Sequence, residues 1–314
     1  MNPSRTIAAL AGTLSLVLTC AWPGYAQPPA GTPPAATAAP APAAAPAAPG
    51  KKPATSAAAR AEALQIAHDK LERADDASVQ QGLASLATLG GEPAAQLVIA
   101  RVRRGLPPQL YEAAIDTLVL LGRPSAATAL LELALHARAA IRERALAALG
   151  ALHVRSAQSA LLFALDDPSP QVRVAAVSAL GAVGDTRALP ALYVAADRGI
   201  DGALEAAGKI LRPNDLKGLL ARARDADVSA IKPALSAIMA RKDFPSEGKL
   251  HIVQELSKLA SPSARTLLVT WLDAYKVAGP ANLRKALFDG IKHIDDLDKA
   301  KEEVTVTPAA GGKS

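Results

Sequence analysis

Five histidines, one cysteine and a few acidic or glycine-containing clusters are the residues of this chain that could carry chemistry. Zinc sites usually place two histidines one helical turn apart, or combine histidines with cysteines at short spacing. No two histidines here have that spacing; they are His68, His136, His153, His251 and His293. We therefore expect no metal site, and we interpret each histidine as a surface or partly buried residue.

Cys20 is the only cysteine and lies at the end of an apolar run. Residues 1–26 contain one arginine, then this run, then the helix breakers Pro23 and Gly24 before Ala26, which is the arrangement of a secretory signal peptide. Cleavage after Ala26 leaves a mature chain without disulfide or thiolate. Two alternatives stay open: lipid attachment at Cys20, and an uncleaved anchor, for which the run is shorter than the roughly 20 residues that span a bilayer.

Two segments superficially suit phosphate binding or acid–base chemistry. Gly202 to Lys209 resembles a phosphate loop, but Ile210 stands where a serine or threonine is needed, and no strand precedes it. Asp166 and Asp167 precede a turn, where helix capping explains them better than catalysis. The chain also has no G-x-S-x-G elbow. The sequence therefore predicts no catalytic residue and no cofactor.

The elements that position these residues recur every 31 residues. Val79, Leu110, Ile141 and Val172 each open the same apolar pattern (79, 110, 141, 172). Its spacing is that of one face of an α-helix, and a turn rich in glycine or proline follows each copy. A second helix then contributes two further columns at the same period: Ala95, Ala126, Ala157 and Ala188, and Ile99, Leu130, Leu161 and Leu192. The pattern predicts an all-α solenoid of helical hairpins.

The domain boundaries follow from composition. Residues 27–56 are nearly all alanine and proline, which predicts a disordered, extended linker between the signal peptide and the folded part. The solenoid occupies residues 57–303, with degenerate repeats beyond Asp197, and residues 304–314 form a loose tail. We expect the segment from Ala57 to Arg73 to cap the first unit, and the one from Asp295 to Glu303 to cap the last.

The best-preserved unit, DDPSPQVRVAAVSALGAVGDTRALPAL from Asp166 to Leu192, resembles the short bacterial HEAT repeat of the PBS-lyase type. The resemblance is good over about residues 74–200 and loose to about residue 300. It implies an α-α superhelix, armadillo-like in its helical stacking, that is used chiefly for protein contacts. Deoxyhypusine hydroxylases resemble this fold but carry His-Glu pairs as iron ligands, and no histidine here precedes a glutamate.

Arginines on the repeats have a structural interpretation and a binding one. Arg142 and Arg173 lie one repeat apart, and we expect them to pair with turn carboxylates such as Asp167 or Asp185 between units; binding of an anionic partner is the alternative. A second group near the end of one helix is expected to be a solvated helix end, since cations are favoured there, with a lipid or nucleic-acid patch as the alternative. Its members are Arg101, Arg103 and Arg104.

Apolar residues outside the core columns are the candidate protein-binding surface. They lie on consecutive second helices and are Leu131, Leu162, Phe163, Tyr193 and Val194. We expect second helices to line the concave side, so that these residues form a groove for a helix or an extended peptide. Burial between the two helix layers is the alternative.

These observations predict an exported, non-enzymatic scaffold or adaptor of the bacterial periplasm or cell envelope that binds protein partners through its concave face. One alternative is an enzyme-maturation or lyase-like accessory factor with a weak site around Trp271, Asp273 and Tyr275. Another is a nucleic-acid binder. The net charge of +6 is mild, and the aromatic content of 3% argues against base stacking, so we expect no nucleic-acid partner. The oligomeric state is left open.

Overall fold

The computed structural model describes residues 54–225, 227–277 and 279–306. Within these residues the chain forms fifteen α-helices and no strand, which confirms the predicted all-α solenoid. The predicted signal peptide, nearly all of the predicted linker and most of the predicted tail lie outside the described residues. No helix in the described part is long and apolar enough to cross a membrane.

The helices form two layers, because each hairpin contributes one helix to each layer. The first helices are α2 (Asp76–Leu89), α4 (Pro108–Leu121), α6 (Ala139–Ala151), α8 (Pro170–Val183), α10 (Ala203–Ile210), α12 (Val228–Ala240) and α14 (Pro262–Tyr275). The second helices are α3 (Gly91–Arg104), α5 (Pro124–Leu133), α7 (Gln158–Phe163), α9 (Leu189–Asp197), α11 (Leu216–Asp225) and α13 (Ser246–Leu259). The second layer is extended at its two ends by α1 (Ala54–Leu71) and α15 (Ala281–Val306).

The columns read from the sequence form the core. The four residues that open the pattern on first helices, and all eight residues of the two second-helix columns, are buried. Ala157 and Ala188 lie in short 3-10 turns that lead into α7 and α9, one step before the helices begin. The later first helix α12, at the shortened spacing, also buries its predicted face, including Ile231 and Leu235.

Glycines end two of the first helices. Gly122 and Gly184 have φ of 58° and 78°, a left-handed conformation that costs glycine little. Each donates its backbone N–H to a carbonyl of the last helical turn, and the chain then reverses into the second helix of the hairpin. The glycine in the turn is therefore what lets α4 and α8 form hairpins with the helices that follow.

Glycine also sets the spacing within the first layer. Three glycines on consecutive first helices face alanines of the next first helix, so that a Cβ atom on the glycine would collide with the alanine. The pairs are Gly150 with Ala179, Gly181 with Ala206, and Gly208 with Ala234. The missing side chains allow α6, α8, α10 and α12 to approach one another closely.

The second helices in the same region have far fewer close backbone contacts with one another. In a curved stack of helix pairs, the layer with the shorter spacing lies on the inside. The first helices α4 to α12 therefore form the concave side. This corrects the sequence-based expectation, which placed the second helices there, and the reason is the glycine–alanine contacts that a 31-residue pattern does not distinguish from ordinary core positions.

A helix lies at each end of the described solenoid, over the segments that the sequence analysis expects to be caps. α1 covers the predicted N-terminal cap, and its Arg60 donates hydrogen bonds to the carbonyls of Leu89 (2.9 Å) and Gly90 (3.0 Å) at the end of α2. The predicted C-terminal cap is the second half of α15, and that helix continues to Val306, three residues past the predicted boundary.

Candidate protein-binding surface

The predicted apolar surface divides into buried and exposed parts. Leu131, Leu162 and Tyr193 are partly buried and pack against the core. Phe163 and Val194 are exposed, at 74% and 56% of their surface. Burial between the helix layers therefore applies, at least in part, to three of these residues. The other two present exposed apolar side chains on the outer layer. Their role in binding stays a prediction.

Tyr193 lines a groove of about 570 Å³ between α9 and α11, with Pro190 and Asp215 among its other residues. The Arg222 guanidinium lies 5.0 Å from the centre of its ring, within range for a cation–π contact. Its hydroxyl is buried without a hydrogen-bond partner among the described residues. Burial raises the pKa of this hydroxyl, and the charge of Arg222 opposes the rise. The hydroxyl is therefore a neutral donor at physiological pH.

A larger groove, of about 750 Å³, lies on the concave side. It is lined by α4, α6 and α8, with Asp201 from the loop before α10. Tyr111 and Ile115 are buried beneath it, and Val174 presents an exposed apolar side chain. A second concave groove, of about 490 Å³, follows between α10 and α12. Sequence analysis did not identify Tyr111, Ile115, Val174 or Asp201, because they lie outside the apolar pattern that recurs on the first helices.

The larger groove is acidic although the chain as a whole is basic. Arg144 contacts carboxylates of the preceding first helix, Asp116 at 2.7 Å and Glu112 at 3.4 Å. Glu143 and Asp201 also line the groove, and neither forms an ion pair with another described residue. Three carboxylates, those of Glu112, Glu143 and Asp201, thus line the groove against one guanidinium, and they surround an apolar floor. Such a surface suits protein partners better than nucleic acid.

The predicted pairing between units is confirmed at Arg142. Its Nε and Nη2 donate to the two carboxylate oxygens of Asp167, each at 2.8 Å. Only 15% and 11% of the two side chains are exposed. Hydrogen bonding from Arg142, rather than its charge alone, holds the pKa of Asp167 below its ordinary value. Asp185 pairs with Arg187, not with Arg173, and this contact lowers the pKa of Asp185 to about 2.

The three arginines at the end of α3 are not simply solvated. Arg103 forms an ion pair of 2.7 Å with Glu132 of α5, and Arg104 pairs with Glu72, which follows α1. Arg101 donates to the carbonyl of Leu71 at 2.9 Å. These side chains connect neighbouring second helices, so their contacts within the protein account for them.

The alternative enzyme site does not come together. Trp271 is buried in the core, and Asp273 forms an ion pair of 2.6 Å with Lys276 on the same helix. The Tyr275 hydroxyl donates to the carbonyl of Met239 at 2.5 Å. None of the three lines a groove described above. In the described part of the chain, no cluster of three or more metal-ligating side chains is present.

Comparison with known proteins identifies the repeat. Residues 127–212 match the family model for HEAT repeats, which confirms the predicted HEAT-repeat protein. No curated protein matches the chain. Among solved structures, the chain is similar to the CpcE–CpcF complex of phycocyanin lyase from a Nostoc species, with 18% identity over 74% of this chain and 94% of that one, at a TM-score of 0.43.

Two further solved structures are similar to the chain at lower scores. Human deoxyhypusine hydroxylase is 16% identical over 77% of this chain and 99% of its own, with a TM-score of 0.36. A designed armadillo repeat protein is 18% identical over 74% and 99%, with a TM-score of 0.31. Likenesses at these scores do not extend to activity or partners.

Proposed function

We propose that the protein is an exported, non-enzymatic scaffold or adaptor of the cell envelope that binds a protein partner through the concave groove of α4, α6 and α8. The observation that carries the proposal is this groove, about 750 Å³ in volume, with an apolar floor and charged edges on a layer of closely packed helices. Residues 1–26, with the layout of a signal peptide, support export.

The mechanism is binding by complementary shape. The stacked helices hold the groove in one curvature, so a partner segment that enters it loses conformational entropy while the scaffold loses little. Buried Tyr111 and Ile115 beneath the groove give it a firm apolar floor, and the carboxylates at its edges select the charge of the partner. Neither step requires a catalytic group or a cofactor.

A matched pair of variants on α6 tests the site. Ala147 and Ala151 are both exposed and lie one helical turn apart, but only Ala147 lines the groove. A photocrosslinking amino acid placed at Ser178, which lines the groove from α8, is used to capture partners in the native cell. We expect Ala147→Arg to reduce capture of a defined envelope protein about tenfold, as loss of a central contact does, and Ala151→Arg to leave it unchanged.

The same experiment distinguishes the alternatives. Capture by a crosslinker at Phe163 and not at Ser178 would move the binding face to the outer apolar surface predicted from the sequence. Capture at neither position would contradict the scaffold proposal. Mass spectrometry of the purified chain tests export: an N-terminus at Gln27 supports it, and a retained Met1 refutes it.

A further inference from the structure

The Arg142–Asp167 ion pair belongs to a small set of hydrogen bonds, part of which recurs one repeat later. In the first copy, Arg142 donates through Nη1 to the carbonyls of His136 (2.9 Å) and Ala137 (3.0 Å). Its other two nitrogens, Nε and Nη2, each donate one hydrogen bond to Asp167 and hold it in a bidentate contact. All five N–H groups of the guanidinium point along a fixed fork, so the first pair of bonds orients the second.

The second copy repeats the first half of this arrangement. Arg173 lies 31 residues after Arg142 and donates through Nη1 to the carbonyls of Asp167 (2.8 Å) and Pro168 (3.2 Å), the residues equivalent to His136 and Ala137. The guanidinium is therefore anchored and oriented as its predecessor is.

The second half is missing, because the residue equivalent to Asp167 is Arg198. Arg198 pairs instead with Asp166, at 2.6 Å. No carboxylate among the described residues accepts from Nε or Nη2 of Arg173. A pocket of about 150 Å³ opens at this place. Its lining residues are Pro170, Arg173, Val174, Arg198, Gly199, Ile200 and Asp201.

The position of the pocket follows the repeat closely. Subtracting 31 from its lining positions gives residues 139, 142, 143, 167, 168, 169 and 170. This set contains Arg142 and Asp167 and the Ser169 whose backbone N–H also binds Asp167, at 2.9 Å. The pocket is therefore the space that a carboxylate fills one unit earlier.

We propose that this pocket binds a carboxylate group of a partner, held by the Nε and Nη2 donors of Arg173. The pocket volume of about 150 Å³ is well above the roughly 10–15 Å³ that a single water needs, so the pocket has room for a carboxylate. Arg198 and Asp201 also line the pocket. The charge of Arg198 is already paired with Asp166, so Arg173 is the residue that must hold the carboxylate. A guanidinium can bind either a carboxylate or a phosphate through two bonds. We choose the carboxylate because Asp167 makes the equivalent bidentate contact with Arg142 one repeat earlier.

The pocket adjoins the concave groove, since Pro170, Val174 and Asp201 line both. A segment lying in the groove can therefore extend an aspartate, a glutamate or its C-terminal carboxylate to Arg173. In this respect the inference rests on the proposed function. The capacity to bind a carboxylate does not, and it is measured without any partner.

The test uses the full mature chain with nitrogen-15-labelled arginine side chains, titrated with sodium acetate at constant ionic strength. The Nε–H signal of Arg173 is expected to shift saturably, with an affinity about tenfold higher than that of the exposed Arg138. The Arg142 signal is expected not to shift, because Asp167 already accepts hydrogen bonds from Nε and Nη2 of Arg142. An Arg173 signal that shifts no more than that of Arg138 overturns the proposal, and so does a response to phosphate without one to acetate.

Two variants supply matched controls. Arg198→Asp restores the residue type of the preceding unit, so we expect it to fill the site from within and abolish the acetate response. Arg198→Asn removes the same arginine without supplying a carboxylate, and its acetate response is expected to persist. If the two variants behave alike, Arg173 does not select a carboxylate and the proposal fails.

Asp201 provides a further check, because its own carboxylate lines the pocket. If Asp201 occupied the fork of Arg173 in solution, acetate would act only on the Asp201→Asn variant, and this outcome also overturns the proposal. We expect acetate to bind the wild type, and to bind Asp201→Asn somewhat more tightly. Loss of crosslinking with a normal acetate response would contradict the proposed function and leave the carboxylate site standing.

Discussion

Replacing Gly208 with alanine should separate two first helices. An added Cβ would lie 2.9 Å from the Cα and carbonyl carbon of Ala234 and closer still to the carbonyl oxygen. Ordinary contact begins at 3.4 Å, so α10 and α12 must move apart by at least about 0.5 Å. The obstructing atoms belong to a helix backbone and cannot rotate away.

The magnitude follows from two opposing effects. Overpacking of this kind costs about 1–3 kcal/mol, and backbone obstruction places the cost in the upper half of that range. Alanine in place of glycine inside a helix returns about 1 kcal/mol. We therefore expect a net loss of about 1–2 kcal/mol, which corresponds to a melting temperature lower by about 2–8 °C for a domain of this size.

Gly218 of α11 is the matched control, since a Cβ there meets nothing within 4 Å. Gly218→Ala keeps only the favourable helix effect, about 0.5–1 kcal/mol, and should raise the melting temperature by about 1–4 °C. Thermal unfolding followed by far-ultraviolet circular dichroism measures both variants. Equal shifts in the two variants, or a more stable Gly208→Ala, would refute the assignment of close packing in the first layer.

Three further predictions concern the core, the ion pair between units and pH. Leu161→Asp should unfold neighbouring units because it places a charge at a fully buried position, whereas Phe163→Asp on the same helix should leave helicity and melting unchanged; circular dichroism measures both. Arg142→Ala should cost about 2 kcal/mol in urea unfolding because it leaves the Asp167 carboxylate mostly buried without its partner, and a loss below about 0.5 kcal/mol would contradict this. Because the pKa of Asp167 is lowered in the folded protein, the pair stabilises the fold fully above pH 3.8, the ordinary pKa, and this contribution is lost as the pH falls below that value. The free energy of urea unfolding should therefore fall less between neutral and acid pH in Asp167→Asn than in the wild type.

The repeat itself could be predicted from the sequence because burial imposes a period. A hairpin that packs only against its neighbours must present large and small apolar residues at the same positions in every unit, as Leu161 and Leu192 do. The repeat also indicated that Arg142 pairs with a turn carboxylate, with Asp167 and Asp185 as the candidates, and the structure identifies Asp167 as the partner.

The candidate site could not be predicted in this way. Glu143 and Val174 occupy equivalent solvent-facing positions on consecutive units, and nothing in the periodic pattern separates such positions from any other exposed surface. Whether they face a groove depends on how close α4, α6 and α8 come to one another, which is a property of three units together. The sequence analysis placed the candidate surface on the second helices because extra apolar residues can be recognised within a single helix, without knowing its neighbours.

The sequence by itself determined the helical hairpins, their period and the identity of the core, because hydrophobic periodicity is local and needs no partner to be recognised. Only the tertiary structure decided which layer is concave and where the repeat leaves a charged group unmatched. Curvature arises from small differences in packing distance between helices, such as the close approach that Gly150 allows against Ala179. The donors of Arg173 are left without a carboxylate because arginine stands at position 198, where the preceding repeat has Asp167. Both depend on contacts between residues far apart in the chain.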